Sequence, residues 1–275
     1  MTTLLALYDA QLRGASEFDA GMRVDRLGPL YLGIFPGGTR GFATYQALGD
    51  ASIPALAREV IDYFAARGCT EFEWKTRGHD QPANLLDQLR ALGFVPEERE
   101  TVMAGDIEGI IAADAALPAG FAVRKAETEA ELRAADACAT EVFGWRSHAD
   151  ALVARLQAAP ESFEMWFVTD PAGDIVCSGR VDFEDGTDFG TIWGGNCRAE
   201  YRGRGLYRAL TAARARSAQA RGEALPAVRL HGVLAAHSRA RGTGDHHDVD
   251  AGGLPVLDSS RTPSSNTLDF RTYSE

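Results

Sequence analysis

The stretch Phe189-Gly190-Thr191-Ile192-Trp193-Gly194-Gly195-Asn196-Cys197, followed after four intervening residues by Arg202-Gly203-Arg204-Gly205-Leu206-Tyr207, decides how the rest of the chain is read. Its first part has the apolar content of a strand, interrupted by paired glycines that mark a bulge or close approach by a ligand or another backbone. Past the arginines, Leu206, Leu210, Ala213 and Ser217 recur at helical spacing while Arg208, Arg214 and Arg216 lie off that line, which predicts a helix from near Arg204. Glycines at 203 and 205 permit positive φ, so backbone N–H groups of the loop can converge on one anion at the positive end of that helix. Arg202 and Arg204 add mobile positive charge, and each charge-assisted hydrogen bond to a phosphate is worth roughly 1.5–3 kcal/mol. The bare Arg-Gly-Arg-Gly string suits a glycine turn capping a surface helix equally well; the twin-glycine strand ahead of it favours a phosphate cradle.

Strand, glycine loop and a helix beginning Leu206-Tyr207-Arg208-Ala209-Leu210 together resemble the acyl-coenzyme A loop of the GNAT superfamily of N-acyltransferases. That family's pattern is Arg or Gln, two residues, Gly, one residue, then Gly or Ala. Arg202 and Gly205 match it, and Tyr207 stands where the small residue belongs. The resemblance implies acetyl-CoA as acetyl donor, with Arg202, Gly203, Arg204, Gly205, Leu206 and Tyr207 around the diphosphate and the backbone of Gly195 and Cys197 paired with pantetheine.

Composition is consistent with this. The 275 residues are 45% hydrophobic and 24% charged, suited to one large or two small globular domains. A formal net charge of -11 argues against a nucleic-acid partner and is compatible with a cationic amine. Cys69, Cys138, Cys177 and Cys197 lack metal-ligand spacing and read as small buried apolar residues in a reducing cytosol. With no signal-like segment and no membrane-length apolar run, the expectation is a cytoplasmic protein that engages neither membrane nor metal.

Residues 121–222 read as one coenzyme-binding module: strand Phe121 to Arg124, a helix with Leu132, Ala135, Ala139 and Val142 on one face, and a second helix closed by Pro160. A strand Met165 to Val168 follows, then a turn at Asp170 to Gly173. Next is a strand with Ile175, Cys177, Gly179, Val181 and Phe183 on one face and Arg180, Asp182 and Glu184 on the other. Residues 1–110 show a related order without the loop: strands Leu30 to Phe35, Phe42 to Leu48, Glu71 to Lys75 and Phe94 to Val102, with helices bearing Leu56, Val60 and Phe64, and Leu85, Leu89 and Leu92. They are read as a degenerate copy, joined by a linker at 111–120. His79 is read as structural. The predicted class is α/β (α+β): two GNAT-like modules, each a mixed, mostly antiparallel sheet flanked by helices, followed by an irregular tail at 223–275.

The tail is rich in Gly, Ser, Thr, Arg, His and Asp with little periodicity. His246-His247-Asp248 is not read as a metal site, because adjacent histidines point apart. Read one base out of phase, with one wobble base free at each step, Gly244 to Asp248 becomes valine followed by threonines. In the same phase Leu234 to Arg239 can encode Ser-Arg-Pro-Ile-Leu-Glu, like the closing elements that the resemblance leads one to expect. A frameshift near Gly222 to Pro226 is therefore expected, with a natural disordered extension as the alternative.

The reaction implied by the resemblance is direct attack of a neutral primary amine, on a small molecule or a peptide, at the thioester carbonyl. Asp182, Glu184 and Glu141 are conceivable bases, each better read as a solvated face residue, so no catalytic residue is assigned. Cys177 and Cys197 lack a neighbouring histidine and are not read as nucleophiles. A coenzyme-binding module without turnover and a scaffold protein without coenzyme are the competing classes.

Overall fold

The structure is a computed structural model that describes residues 4–18, 22–96, 101–105, 107–183, 186–221, 227–232, 237–240 and 271–272. In chain order its elements begin with α1 (Leu4–Gln11), β1 (Arg23–Leu27), β2 (Leu30–Ile34), β3 (Arg40–Thr44), α2 (Ile53–Ala65), β4 (Glu71–Lys75), α3 (Leu85–Ala91) and β5 (Phe94–Pro96). Then come β6 (Thr101–Gly105), α4 (Ile107–Ala112), β7 (Ala122–Lys125), α5 (Glu129–Phe143), α6 (Ala149–Ala158), β8 (Phe163–Thr169) and β9 (Ile175–Phe183). The last are β10 (Phe189–Cys197), α7 (Leu206–Ala220), β11 (Ala227–Gly232), β12 (His237–Ala240) and β13 (Arg271–Thr272).

Two compact units form, neither from one unbroken stretch: 1–17 with 99–235 and 268–275, and 18–98 with 236–267. The second holds a sheet of order β1-β2-β3-β4-β12-β5, in which β3 and β4 pair in parallel across α2 and the other pairs are antiparallel. Its core joins Leu30, Leu32, Tyr45 and Trp74 of the sheet side to Leu56, Val60 and Phe64 of α2 and Leu85 and Leu89 of α3. The strand expected over 94–102 is two strands, β5 pairing in this sheet and β6 in the other. β1, Arg-Val-Asp-Arg-Leu, escaped notice because an edge strand with mostly polar residues has no apolar alternation to read.

The first unit carries the order β13-β6-β11-β10-β9-β8-β7. Strands β7 to β10 form an antiparallel series, and β10 then pairs with β11 in parallel through Phe189↔Ala227 to Ile192↔Leu230. Thus a strand follows α7 inside the stretch read as irregular tail.

Helix α5 is fixed at both ends. Thr128 and Glu131 form a capping box at the start of α5, satisfying two backbone donors reciprocally, and Gly144 at φ 70° ends the helix in the left-handed region that suits glycine. On one face of the sheet Leu132 and Ala135 of α5 meet Phe163, Met165 and Phe167 of β8, with Leu152 and Val153 of α6. On the other, Leu206 and Leu210 of α7 meet Val168, Val176 and Cys177.

Two expectations of facing change. β9 is covered on both sides, so Ser178 and Asp182 are buried as well as Cys177 and Val181. On α7 the buried set is Leu206, Ala209, Leu210, Thr211, Ala212, Arg214, Ala215 and Ala218, with Ala213 and Ser217 half-buried. A helix sandwiched between a sheet and α4 buries a wider stripe than the single line the sequence suggests, and Arg214 falls inside it.

Candidate functional site

β10 is broken where the sequence places its glycine pair. Trp193 is opposite Arg180 and Asn196 is opposite Ser178, so Gly194 and Gly195 together face Gly179 across a bulge. Gly194 has φ 60°, which only glycine adopts without strain. On its other edge β10 is paired with β11 only up to Ile192 among the described residues. Past the bulge, at Gly195 and Cys197, no strand pairs with that side of β10 among the described residues.

The ladder resumes for two pairs, Asn196↔Ser178 and Cys197↔Cys177. Asn196 donates to the Ser178 hydroxyl at 2.7 Å and carbonyl at 3.1 Å, and its oxygen accepts from Cys138 Sγ at 3.3 Å. Burial pushes the Cys138 thiol pKa up, so this cysteine is an inert packing group. Cys177 and Cys197 do not stand apart as separate thiols. Directly opposite in register, with Cα atoms 4.1 Å apart, their sulfurs are bonded. Sequence spacing hid this, since twenty intervening residues give no sign that two strands will align at those positions.

Beyond Cys197 a single turn at Ala199–Tyr201 leads into the loop. Gly203 and Gly205 take φ 75° and 80°, the latter as the residue that opens α7, so the backbone adopts the conformations a phosphate cradle requires. Arg202 is not wholly mobile: its Nε donates to the Cys197 carbonyl at 3.0 Å, tying the loop to the strand end. Arg204 donates to the Glu200 carbonyl at 3.0 Å and lies over the Tyr201 ring. Both guanidiniums are exposed, and neither is ion-paired among the described residues.

Gly195, Cys197, Arg202, Gly203, Gly205, Leu206 and Tyr207 line one cleft of about 480 Å³, together with Val142, Phe143, Asn196, Tyr201 and Arg208. Arg204 borders it from the loop without lining it. Arg208 and Phe143 were not singled out in sequence; Arg208 lies one turn into an already arginine-rich helix, and Phe143 ends a helix whose apolar line pointed elsewhere. A second hollow of about 310 Å³ lies at the opposite end of β8, against Phe163, and has no part of the loop in its wall.

Tyr207 is the feature the sequence pattern least prepares for. Its hydroxyl occupies the place a side chain at Gly195 would take. Behind it Arg214, fully buried on α7, donates to the Leu210 carbonyl, the Arg180 carbonyl and Thr211 Oγ1 at 3.1–3.3 Å, and Gly179 leaves room for its Nη1. Burial pulls the Arg214 pKa down, against the facing Tyr207 phenol, and no carboxylate neutralises it among the described residues. An arginine carries only donors, so its approach leaves the Tyr207 proton directed elsewhere. Tyr201, by contrast, spends its hydroxyl on Asp170 at 2.7 Å; that bond holds the Asp170 carboxyl below its usual range and pushes the Tyr201 phenol up.

The candidate bases are engaged. Asp182 is buried between Arg155 at 2.8 Å and Arg180 at 2.9 Å, away from solvent and not on a solvated face. Glu141 pairs with Arg198 at 2.8 Å on the surface. Glu184 and the His246 cluster lie outside the described residues. No carboxylate lines the cleft among the described residues, and no group of His, Cys, Asp or Glu there is arranged to hold a metal ion. No helix among them is long and apolar enough to cross a membrane.

No protein-family profile and no curated protein sequence matches the chain. Solved structures do. A GCN5-related N-acetyltransferase from Kribbella flavida aligns with TM-score 0.61 and 17% identity over 82% of this chain and 91% of its own. A tandem GNAT protein from the clavulanic acid biosynthesis pathway, in a form without AcCoA, aligns with TM-score 0.58 and 13% identity over 84% and 87%. A GCN5-related N-acetyltransferase from Sphaerobacter thermophilus aligns with TM-score 0.58 and 16% identity over 79% of each chain. At these identities the likeness is one of architecture: the chain has the fold of the GCN5-related N-acetyltransferases.

Proposed function

We propose that the chain binds acetyl-CoA in the cleft between β10 and the loop before α7, and transfers the acetyl group to a primary amine by direct attack. The observation that carries this reading is the coincidence of a glycine bulge in β10 with two left-handed glycines at the start of a fifteen-residue helix, around one cleft. The backbone donors of residues 203–206 and the exposed guanidiniums of Arg202 and Arg204 suit a diphosphate. The backbone of Gly195 and Cys197, on the side facing away from β9, suits the amide-bearing arm. When bound, the coenzyme supplies an activated thioester. Residues 194–195 then offer backbone N–H groups to its carbonyl oxygen, where negative charge develops. Arg208 and Phe143 extend the binding surface at the mouth.

Proton removal from the amine falls to water or to a group outside the described residues, because Asp182 and Glu141 are held in ion pairs. That same observation favours a second reading, a coenzyme-binding module without turnover. The two separate in one assay: release of free thiol from acetyl-CoA across a panel of polyamines, amino acids, aminoglycosides and peptide N-termini. Amine-dependent release supports transfer; tight binding with no release for any amine supports the module. The cytoplasmic setting and the tandem ancestry of residues 1–110 belong to the same proposal.

We also propose the frameshift near residues 222–226. β11 begins just past that point and still occupies the position parallel to β10. Resequencing the coding DNA decides it: one uninterrupted frame in independent isolates overturns the idea.

A further inference from the structure

We propose that Cys177 and Cys197 form a reversible thiol–disulfide site whose state sets the order of the loop at 202–205, and through it the affinity of the cleft for its nucleotide ligand. The inference rests on the coenzyme reading of the cleft for its last step only. Cys197 is the final residue of β10, two positions past the bulge, and its carbonyl anchors Arg202. After the bulge this end of β10 is held to β9, among the described residues, by two ladder pairs, Asn196 with Ser178 and Cys197 with Cys177, and by the Arg198 N–H donating to the Val176 carbonyl at 2.9 Å. A covalent link at the second therefore restrains both the opened glycine pair before it and the phosphate loop after it.

The pairing is exclusive. Successive residues of a strand face opposite sides, so Asn196 meets Cys138 of α5 while Cys197 meets Cys177 beneath α7. Cys69 belongs to the other unit. Both states suit the fold: Cys177 is fully buried and Cys197 nearly so, among Val168, Val176, Leu206 and Leu210, and free thiols pack there as small apolar groups. Entry is through Cys197, which lines the cleft, whereas Cys177 does not.

The chemistry is two-step exchange with a low-molecular-weight disulfide. The Cys197 thiolate attacks one sulfur of that disulfide, forming a mixed disulfide and expelling one thiolate. The Cys177 thiolate then attacks the Cys197 sulfur, closing the protein disulfide and expelling the second. The protein loses two electrons and two protons, and the small disulfide is reduced to two thiols.

The test uses the full chain equilibrated with excess dithiothreitol or excess glutathione disulfide, then alkylated and weighed by mass spectrometry. Amide exchange at 198–206 and titration of acetyl-CoA, a thioester with no free thiol to reduce the link, are measured on both forms. We expect a Cys177–Cys197 cross-link in the oxidised form, slower exchange in the loop, and affinity tighter by about threefold to tenfold through preorganisation. Cys177→Ser, outside the cleft lining, should behave as the reduced form whatever the oxidant. Thiols that stay alkylatable in excess glutathione disulfide overturn the proposal, as does a cross-link that changes neither exchange nor affinity. If acetyl-CoA binds neither form while loop exchange still follows the cross-link, the coenzyme reading fails and the coupling of thiol state to loop order stands.

Discussion

The hydroxyl of Tyr207 stands where a side chain at Gly195 would have to go, so the aromatic residue that replaces a small one in the loop pattern is matched by a glycine on the facing strand. Gly195→Ala should push the ring outward. Because Tyr207 is more than a third exposed and meets the new methyl with its far end, the cost to folding should stay below about 1 kcal/mol. The methyl itself narrows the strand opening, so acetyl-CoA affinity should fall while the denaturation midpoint hardly moves. A large loss of stability with affinity intact would show that the ring cannot swing and that the opening is not the binding edge.

Gly179 tells the opposite story. A methyl there would lie 2.6 Å from Arg214 Nη1 and 3.1 Å from the Gly195 backbone, and Arg214 is fully buried. With no room to yield, Gly179→Ala should destabilise the protein by about 1–3 kcal/mol in urea denaturation. Arg214→Met, which keeps the stem and removes an unneutralised buried charge, should be close to neutral. A neutral Gly179→Ala would mean that the guanidinium is less tightly enclosed than described.

Asp182→Asn probes a residue that sequence offered as a base and structure places in a buried pair with Arg155 and Arg180. Removing the charge leaves two guanidiniums facing a neutral amide, and the expected loss is about 3–5 kcal/mol of stability. Acetyl-CoA affinity, measured where the variant is folded, should be unchanged. A variant of normal stability that loses only turnover would restore Asp182 as a candidate base.

The order of elements from β7 to α7 was legible because each carries a local signal: the capping box at Thr128, alternation along β9, the turn at Asp170 to Gly173, and left-handed glycines at 203 and 205. What sequence could not show depends on which segments become neighbours. The Cys177–Cys197 link, the ion pairs of Asp182 and the burial of Arg214 all arise from register between β9 and β10 or from covering both faces of β9. β11 was missed for a related reason, since its strand character comes from the slot beside β10 more than from its own pattern.

Glu164 gives a pH-dependent handle on the same unit. Burial alone would raise its pKa, yet hydrogen bonds from Ser217, Trp166 and Arg221 and the charge of Lys125 outweigh this and hold the carboxyl below its usual value of 4.5. A folded pKa below the unfolded one adds stability that is complete above about pH 4.5 and lost as pH falls through the folded value. Glu164→Gln should therefore cost about 1–3 kcal/mol at pH 7 and less at pH 3, measured by denaturant midpoints. An equal difference at both values would show that the network does not depend on the charge.

Isothermal titration of acetyl-CoA into the full chain and into Arg202→Glu tests the central claim most directly. Micromolar binding to the native chain, abolished or weakened at least tenfold in the variant, is the predicted result, since the substitution reverses a charge at the start of the loop. Equal heats for both proteins would place the coenzyme elsewhere, and no heat from the native chain would contradict the account of the cleft.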